Sequence, residues 1–522
     1  MITIKREHAN WNRTKLDLSA RAKDVYNSLI DLCYMFHQDE SSTKYLELAH
    51  QFIEKNKSML LWEAINRKLL MTIDLEDTDL RNQLNEIESA IANLEIEYAN
   101  QQSDSIITAL DLLEQRRKRI KNEITSAYQD QISTVGQNSL SSISSIQKQL
   151  KKHNYILNFY ESDSMLYCIS ISQDKIGFKG KKVDESISTK ISEFYSRISD
   201  FSLEQLAFSS NDYNSLSYAI YDWLMDIIPS QAVVKNNQIT IIPDGLLYRV
   251  PFEALTYEKN ETSSYKSVSY LIKRLKVNYC PSASIWNNLI QVKTNTSKAA
   301  TSNLLLLSDG LSGSIEEVNY ISQLYGLNQS MSYLNSEEIL EDIMHFSRLH
   351  IASHVKVDTS NEFGNYIHLI GKDGTIKLFD YQILNHKFNL DHVYLNGCST
   401  NNGKELSGEG IFNLSRSFIA SGTPIVVCNL WEVSDNSSSK IAKTYYKELK
   451  KSNNNYINAM RKTKLKYIQS NTNQYAHPYF WAATVSVGNL TNPNTNNYKR
   501  LAFLLLTIIL LAAITYVTIK KS

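Results

Sequence analysis

The sequence predicts an α/β protein with a mostly parallel central sheet, an all-helical region before the sheet and one apolar helix after it. Three observations lead to this fold class. Residues 1–150 repeat apolar side chains with helical spacing, short apolar runs alternate with helical segments from residue 300 onward, and residues 501–519 carry no charge. Apolar strands that alternate with helices are typical of a parallel sheet covered on both faces.

The helical region is expected to span residues 1–150. The segments AKDVYNSLIDLCYMF and YLELAHQFIEKNKSMLLWEAI place apolar residues three and four positions apart, as on one face of a helix. The polar-rich stretch at 80–128 repeats this spacing, and we expect an antiparallel helical hairpin with its bend near residues 101–104. No proline occurs before Pro229, which is consistent with uninterrupted helices. The serine-rich residues 139–150 form either a linker or a short last helix.

The apolar pattern changes to that of short strands after about residue 153. The runs YILNFYES, MLYCISIS and KIGFKG are rich in Tyr, Ile and Phe and are separated by turn residues, so they predict a β-meander. A helix is expected at 215–228, and residues 238–255 are typical of a strand, a turn and a short helix.

Strands and helices alternate from residue 300 onward. Strands are predicted at NLLLLSDG, LHIASH, DHVYLNGC, PIVVCNLW and YFWAATVSVG. Helices are predicted at SIEEVNYISQLY and GEGIFNLSRSFIASG, the second ending at Gly422, and a hairpin is expected around Lys372-Asp373-Gly374. Sheets of this kind bind ligands beyond the carboxyl ends of their strands.

A histidine and a cysteine stand at two of those carboxyl ends. His354 closes LHIASH and Cys398 closes VYLNGC, 44 positions later (398 minus 354), with a hairpin-sized insertion between the two strands. Neighbouring strands would bring imidazole and thiol to one rim, where the imidazole favours the nucleophilic thiolate. The residues alone leave the alternative open, because a lone cysteine at a strand end is more often a small buried side chain.

Composition argues against several other classes of protein. A formal net charge of +1 gives no signal for nucleic-acid binding, and the basic run RRKRIKN at 116–122 is typical of a solvated helix face. The five cysteines include no CxxC pair, so they support neither a disulfide framework nor a zinc site. We therefore expect no metal, no cofactor and no nucleic-acid partner, and a reducing compartment.

Residues 501–519 are expected to form a transmembrane helix. Their 19 uncharged residues would span about 28 Å, enough for the hydrocarbon core of a bilayer, and the basic pairs 499–500 and 520–521 flank them. A buried core helix is the alternative. The sequence lacks an N-terminal signal peptide and paired cysteines, so we expect a C-terminal anchor with the bulk of the chain in the cytoplasm.

Five blocks of the sequence resemble the CHAT domain, a bacterial caspase-like peptidase domain related to metacaspases and separases. The blocks occur in the family's order: IIPDGLLYRVPFEAL, LHIASH, LNGCSTNNG, GEGIFNLSRSFIASGTPIVVCNLWEVSD and HPYFWAATVSVGN. The resemblance implies a caspase-like α/β sandwich over 151–490, after the helical region and before a linker at 491–500. It also implies degenerate tetratricopeptide-like helices ahead of the domain, and places the anchor in the bacterial inner membrane.

The resemblance also implies the roles of individual residues. His354 would be the general base and Cys398 the nucleophile of a peptidase that forms a thioester acyl-enzyme. The family usually carries Gly after the histidine, and its N–H helps to form the oxyanion hole. Here Val355 holds that position, so the backbone N–H groups of Val355 and Cys398 are the expected oxyanion donors. Valine does not readily take a positive φ, and a hole that needs one would be impaired.

Three further residues are candidates for the substrate cleft. Asp309 lies where a caspase-like fold places specificity groups and would favour Lys or Arg before the scissile bond, with a turn or helix-capping role as the alternative. Trp431 and Glu432 follow a strand end on the same rim, and packing explains them equally well.

The sequence thus predicts a membrane-anchored caspase-like cysteine endopeptidase that cleaves protein substrates. A regulatory protein partner is expected to bind the N-terminal helical region and activate the enzyme, in bacterial defence or cell-death signalling. The alternative is a catalytically impaired pseudo-peptidase that acts as a membrane-tethered binding module, which Val355 favours.

Overall fold

The fold is known from a computed structural model that describes most of the chain. The described residues are 12–40, 42–57, 61, scattered positions in 79–97, 103–127, 140–200, 209–295, 303–328, 333–356, 365–386, 388–397, 404–406, 410–412 and 414–489.

Fourteen α-helices of the described chain have defined bounds, and three-residue to five-residue 3₁₀ turns connect some of the other elements. The helices are α1 Asn12–Glu40, α2 Thr43–Asn56, α3 Asp104–Ala127, α4 Ile143–Gln149, α5 Glu185–Ser199, α6 Ser210–Met225, α7 Leu271–Arg274, α8 Ala283–Asn295, α9 Ser312–Tyr325, α10 Ser336–Ile343, α11 Asp380–Asn385, α12 Leu414–Ala420, α13 Asp435–Lys451 and α14 Tyr456–Ser470.

The strands of the described chain form one large sheet and two small ones. They are β1 Asn154–Glu161, β2 Met165–Ser172, β3 Ile176–Lys182, β4 Gln238–Ile242, β5 Lys276–Tyr279, β6 Leu304–Ser308, β7 Arg348–Ala352, β8 Val355–Lys356, β9 Tyr366–Ile370, β10 Thr375–Phe379, β11 His392–Asn396, β12 Lys404–Leu406, β13 Gly410–Phe412, β14 Ile425–Asn429 and β15 Thr484–Gly488. The large sheet has ten strands in the order β3-β2-β1-β4-β5-β15-β14-β11-β7-β6.

Eight of the ten strands of the large sheet form two parallel blocks that meet at one antiparallel junction. Strands β1, β4, β5 and β15 run parallel to one another, as do β14, β11, β7 and β6. β14 and β15 pair antiparallel and join the blocks, and β1-β2-β3 form the predicted antiparallel meander. The prediction of a mostly parallel sheet is therefore confirmed. The carboxyl ends of β6, β7, β11 and β14 share one edge, and the insertion between β7 and β11 leaves those two strands adjacent.

One predicted helix is shorter than expected. Residues 410–412 form β13, which pairs antiparallel with β12, and the helix begins only at Leu414. Gly408 and Gly410 disfavour helical backbone, and the apolar spacing of a helix starts after them. The helix ends as predicted, because Gly422 takes a positive φ of 98° and its N–H donates to the carbonyl of Ile419.

The first two helices share the core of the sheet. Leu46, Ala49 and Ile53 of α2 belong to the same apolar cluster as the strands of the meander. The buried Glu54 carboxylate accepts hydrogen bonds from the N–H groups that begin α8 and, at 3.0 Å, from the amide of Asn158 in β1. A partner bound to α1 and α2 would therefore contact the body that carries the sheet, and that partner stays a prediction.

The predicted helical hairpin forms a cluster of its own. Leu84, Ile87 and Ile91 pack with four apolar residues of α3, namely Ile106, Leu110, Ile120 and Ile124. Within the described residues, no helix is long and apolar enough to cross a membrane. Residues 491–500 and 501–519, for which a linker and an anchor are predicted, lie outside the described part of the chain.

Candidate active site

A cavity of about 270 Å³ lies at the carboxyl ends of β6, β7, β11 and β14. Loop and helix residues after each strand form its wall, as expected for an open parallel sheet. Its described lining is acidic and otherwise built largely of small side chains: Asp309, Leu311, Ser312, Gly313, Ser314, Glu317, Ala352, Ser353, His354, Asn396, Gly397, Asn429, Val433, Asp435, Ser438 and Ser439. No lysine or arginine occurs in that described lining.

His354 and Asp309 form a hydrogen-bonded pair at the rim of this cavity. Ser308 and Ala352 are register partners on β6 and β7, so the residues that follow the two strands are neighbours. The Nδ1 atom of His354 lies 2.6 Å from Oδ2 of Asp309, and the backbone N–H of His354 donates to the same oxygen at 3.1 Å. The His354 side chain is 50% exposed, whereas that of Asp309 is 7% exposed. The imidazole is thus accessible and its carboxylate partner is not.

The surroundings of Asp309 keep it ionised. Burial raises the pKa of its carboxyl, but hydrogen bonds from the Ser314 hydroxyl, from His354 and from the N–H of Leu311 outweigh burial and lower that pKa. A carboxylate has no proton to donate, so Nδ1 of His354 carries the proton of their hydrogen bond. Nε2 of the neutral imidazole is then the proton acceptor, which is the tautomer that a general base requires.

Val355 has an extended backbone and presents its N–H group away from the neighbouring strand. It lies in β8, opposite Ile367 of β9, and its φ is not positive. The carbonyl of His354 accepts a hydrogen bond from the N–H of His368 at 3.0 Å. Because this peptide is trans and planar, the Val355 N–H points in the opposite direction, away from β9. The N–H group of Val355 thus takes no part in the pairing with β9, and its backbone does not need the positive φ that valine disfavours.

The chain before Cys398 enters the same cavity. Asn396 and Ala352 are register partners, so residues 398 and 354 each follow a strand end by the same two positions. Asn396 and Gly397 line the cavity together with His354. Cys398 itself lies outside the described residues.

Sequence comparison identifies the family. The family model of the CHAT domain matches residues 215–489, more than half of the 522 residues. The chain belongs to the CHAT domain family. No curated protein matches it.

Several solved structures are similar to this CHAT protein at low scores. Separase of Saccharomyces cerevisiae, crystallised with securin, is 13% identical with a TM-score of 0.33, and the match covers 80% of this chain and 27% of that one. The Arg-specific cysteine proteinase gingipain R is 9% identical with a TM-score of 0.32, covering 58% and 74%. The complex of the pro- and mature domains of Porphyromonas gingivalis RgpB is 11% identical with a TM-score of 0.31, covering 59% and 76%. The CHAT protein thus spans about a quarter of the separase chain.

Trp431 of the CHAT protein has a packing role. Its side chain is buried, and the indole N–H donates to the carbonyl of Tyr479 at 3.1 Å. Glu432 is exposed. Val433 is among the described residues that line the cavity, whereas Trp431 and Glu432 are not. A place for Trp431 and Glu432 in the substrate cleft stays a prediction.

The partnership of Asp309 with His354 is absent from the sequence interpretation. Asp309 was expected either to select substrates or to cap a turn or helix, and its Oδ1 does hold the start of α9 through Leu311 and Ser314. The signal that could have revealed the pairing is positional, since Asp309 and His354 follow the ends of apolar strands that can be neighbours by one and two positions. The cleft role of Asp309 stays a prediction alongside this contact.

The four described cysteines are buried. Burial raises the pKa of the Cys33, Cys168 and Cys280 thiols and that of Cys428, the last to about 12. We expect iodoacetamide at neutral pH to alkylate Cys398 in the native protein and to spare these four. Peptide mass spectrometry checks this, with the urea-unfolded chain as the control in which all five react. Alkylation of a buried cysteine before Cys398 would contradict it.

His477 of the HPYFW block is a buried packing residue that makes stability depend on pH. Its Nδ1 accepts the N–H of Tyr479 at 3.1 Å, and its ring contacts Tyr265 at a centroid distance of 4.7 Å. Burial lowers the pKa of His477 to about 3. Below pH 6.5 the unfolded chain therefore binds a proton that the folded chain does not bind until about pH 3.

The free energy of unfolding is consequently expected to decrease as the pH falls below 6.5, by up to about 1.4 kcal/mol per pH unit from this group. Urea unfolding between pH 7.5 and 5 measures it. His477→Gln should reduce the slope by about one proton, while His345→Gln, at an exposed site, should not. Equal slopes in the His477→Gln variant and the wild type would contradict this assignment.

Proposed function

We propose that this CHAT protein is a caspase-like cysteine endopeptidase with Cys398 as nucleophile and His354 as general base. The observation that carries the proposal is the hydrogen bond between the buried, ionised Asp309 and Nδ1 of the accessible His354. His354 follows β7, and β7 pairs with β11, the strand that precedes Cys398. A catalytic triad combines a nucleophile, a base and a group that orients the base. His354 and Asp309 are the base and the orienting group in this proposal, and Cys398 is the nucleophile.

The residues support a two-step mechanism. Nε2 of His354 takes the thiol proton of Cys398, and the thiolate attacks the carbonyl carbon of the scissile peptide bond. The N–H groups of Val355 and Cys398 bind the oxygen on which negative charge develops. The C–N bond then breaks, and the leaving amine takes the proton from the imidazolium. In the second step His354 removes a proton from water, the hydroxide attacks the thioester, and the acid product leaves as the thiol is restored.

The charge of the cavity favours a basic residue before the scissile bond. Asp309, Glu317 and Asp435 line it, and the described lining has no cation to neutralise them. Both oxygens of Asp309 already accept hydrogen bonds, so Asp435, which is exposed, is the more available carboxylate. Peptides with Arg or Lys at that position are expected to be cleaved faster than peptides with Asp or Leu.

The decisive experiment combines cleavage with labelling of the full chain in detergent. Fluorogenic peptides and a peptidyl acyloxymethyl ketone, which alkylates an oriented catalytic thiol, are tested on the wild type, Cys398→Ala and His354→Ala. Both variants should lose cleavage and labelling, while His345→Gln, at an exposed histidine, should keep both. Equal labelling of the wild type and Cys398→Ala would overturn the proposal. A wild type that shows no cleavage and no labelling would favour the membrane-tethered pseudo-peptidase.

We also propose that residues 501–519 anchor the protein in a membrane. The support is the sequence alone, with 19 uncharged residues between two basic pairs. The full chain should remain in the membrane pellet after carbonate extraction, and a chain ending at residue 497 should not. A full chain recovered in the supernatant would refute the anchor.

A further inference from the structure

The last described residues before Cys398 are held by three hydrogen-bonding groups. The carbonyl of Asn396 accepts the backbone N–H of Ser353 at 3.1 Å. The side-chain amide of Asn396 lies 2.8 Å from each carboxylate oxygen of Glu317. The carbonyl of Gly397 accepts the side-chain amide of Asn429, at the end of β14, at 3.2 Å. The segment is thus tied to β7, to α9 and to β14.

Glu317 is an unusual residue for this place. Its side chain is 2% exposed, and Nε2 of the buried His350 lies 2.9 Å from Oε1, within ion-pair distance but outside hydrogen-bond geometry. Burial of a carboxylate is unfavourable unless donors compensate it, whereas an apolar side chain on this inner face of α9 would pack without that penalty. The hydrogen bonds that Glu317 accepts come from the side-chain amide of Asn396, and His350 lies within ion-pair distance as a second partner. The carboxylate therefore fixes the orientation of the Asn396 side chain.

The position of Asn396 and Gly397 limits where the nucleophile can lie. Consecutive Cα atoms are about 3.8 Å apart, so the position of Gly397 restricts where the Cα atom of residue 398 can lie. A displacement of about 1 Å between reacting groups can lower a rate by about 10²-fold. A clamp on these two residues therefore acts on catalysis without touching the substrate.

We infer that Glu317 is a positioning residue, which fixes Asn396 and Gly397, the two residues that lead to the proposed nucleophile Cys398. The inference rests on the proposed cysteine peptidase function and adds to it a residue that the sequence interpretation does not include. Glu317 binds no reacting atom in this scheme, and its effect on the nucleophile passes through its contact with Asn396. Removing either partner of that contact should therefore have the same result as removing both.

The test is a double-mutant cycle with a matched control. Glu317→Ala is expected to lower kcat by about tenfold to a hundredfold with little change in KM, and Glu317→Gln, which keeps one acceptor oxygen, should recover part of the rate. In the Asn396→Ala background, Glu317→Ala should have no further effect. Glu316→Ala changes the preceding residue of the same helix, whose side chain is 77% exposed and pairs with Lys443, and should leave kcat unchanged.

A second readout separates this inference from the proposed function. The pH dependence of Cys398 alkylation by iodoacetamide reports its contact with His354 and needs no peptide cleavage. Glu317→Ala should shift that profile to higher pH, towards the profile of His354→Ala. Protection of Cys33, Cys168, Cys280 and Cys428 shows that each variant is folded.

The outcomes decide both proposals. Effects of Glu317→Ala and Asn396→Ala that simply add, or a wild-type kcat and alkylation profile in folded Glu317→Ala, would overturn the positioning role and leave the peptidase proposal intact. A wild type that cleaves no peptide overturns the peptidase proposal. The positioning role is then judged by the alkylation shift alone, and its absence would overturn that role as well.

Discussion

Replacing Asp309 by Asn is expected to lower kcat for peptide cleavage by about 10²-fold to 10⁴-fold and to leave the fold intact. The aspartate carboxylate accepts the Nδ1 proton of His354 at 2.6 Å and thereby leaves Nε2 as the base. An asparagine of the same shape can present its NH₂ group to Nδ1, which stabilises the opposite tautomer with the proton on Nε2. It also removes the negative charge that stabilises the imidazolium during proton transfer.

The measurement is steady-state kinetics of Asp309→Asn with the preferred peptide. Asp373→Asn is the matched control, because Asp373 lies in the exposed turn of the β9–β10 hairpin. Ser314→Ala should have a smaller effect than Asp309→Asn, since it removes one of the hydrogen bonds that lower the Asp309 pKa. A kcat for Asp309→Asn within about threefold of the wild type would show that Asp309 does not orient His354.

The sequence could predict the strand ends but not the contacts across them. The runs that end near His354 and Asn396 are apolar and short, so their strands and the shared edge followed from pattern and from the rules of parallel sheets. The Asp309–His354 pair and the Glu317–Asn396 pair join residues 45 and 79 positions apart. Such contacts depend on strand order and register, which hydrophobic spacing does not encode.

The backbone of Val355 illustrates the same limit. As a sequence position it departs from the family's glycine, and local rules treat a valine there as a defect. The hairpin β9–β10 pairs with β8 and holds the residue in extended conformation, where a β-branched side chain is favourable. Valine does disfavour a positive φ, but the pairing of β8 with β9 gives this position an extended backbone that needs no positive φ.

The buried ion pair of Lys464 and Glu253 gives the largest expected effect on stability. Lys464 of α14 is 0% exposed and lies 2.6 Å from Oε1 of Glu253, which is 4% exposed. The hydroxyl of Tyr279 donates to the other oxygen of Glu253 and accepts the N–H of Phe252 at 2.8 Å. Burial lowers the pKa of Lys464, and the charge of Glu253 opposes that shift. The pair thus fixes α14 against β5 and the PFEAL segment through a network that is satisfied only while both charges are present.

Lys464→Met is expected to lower the free energy of unfolding by about 3–5 kcal/mol, because Glu253 is then a buried charge without its cation. The double variant Lys464→Met, Glu253→Gln should recover most of that loss, since the amide oxygen can still accept from Tyr279 without a charge to compensate. Urea unfolding followed by tryptophan fluorescence measures both, and Lys462→Met, at an exposed position of the same helix, should stay within about 0.5 kcal/mol of the wild type.

If the double variant were no more stable than Lys464→Met, the loss would come from packing around the lysine stem. Recovery in the double variant would instead assign the loss to the uncompensated charge of Glu253, and would mean that the pair contributes little net stability although neither partner can be removed alone.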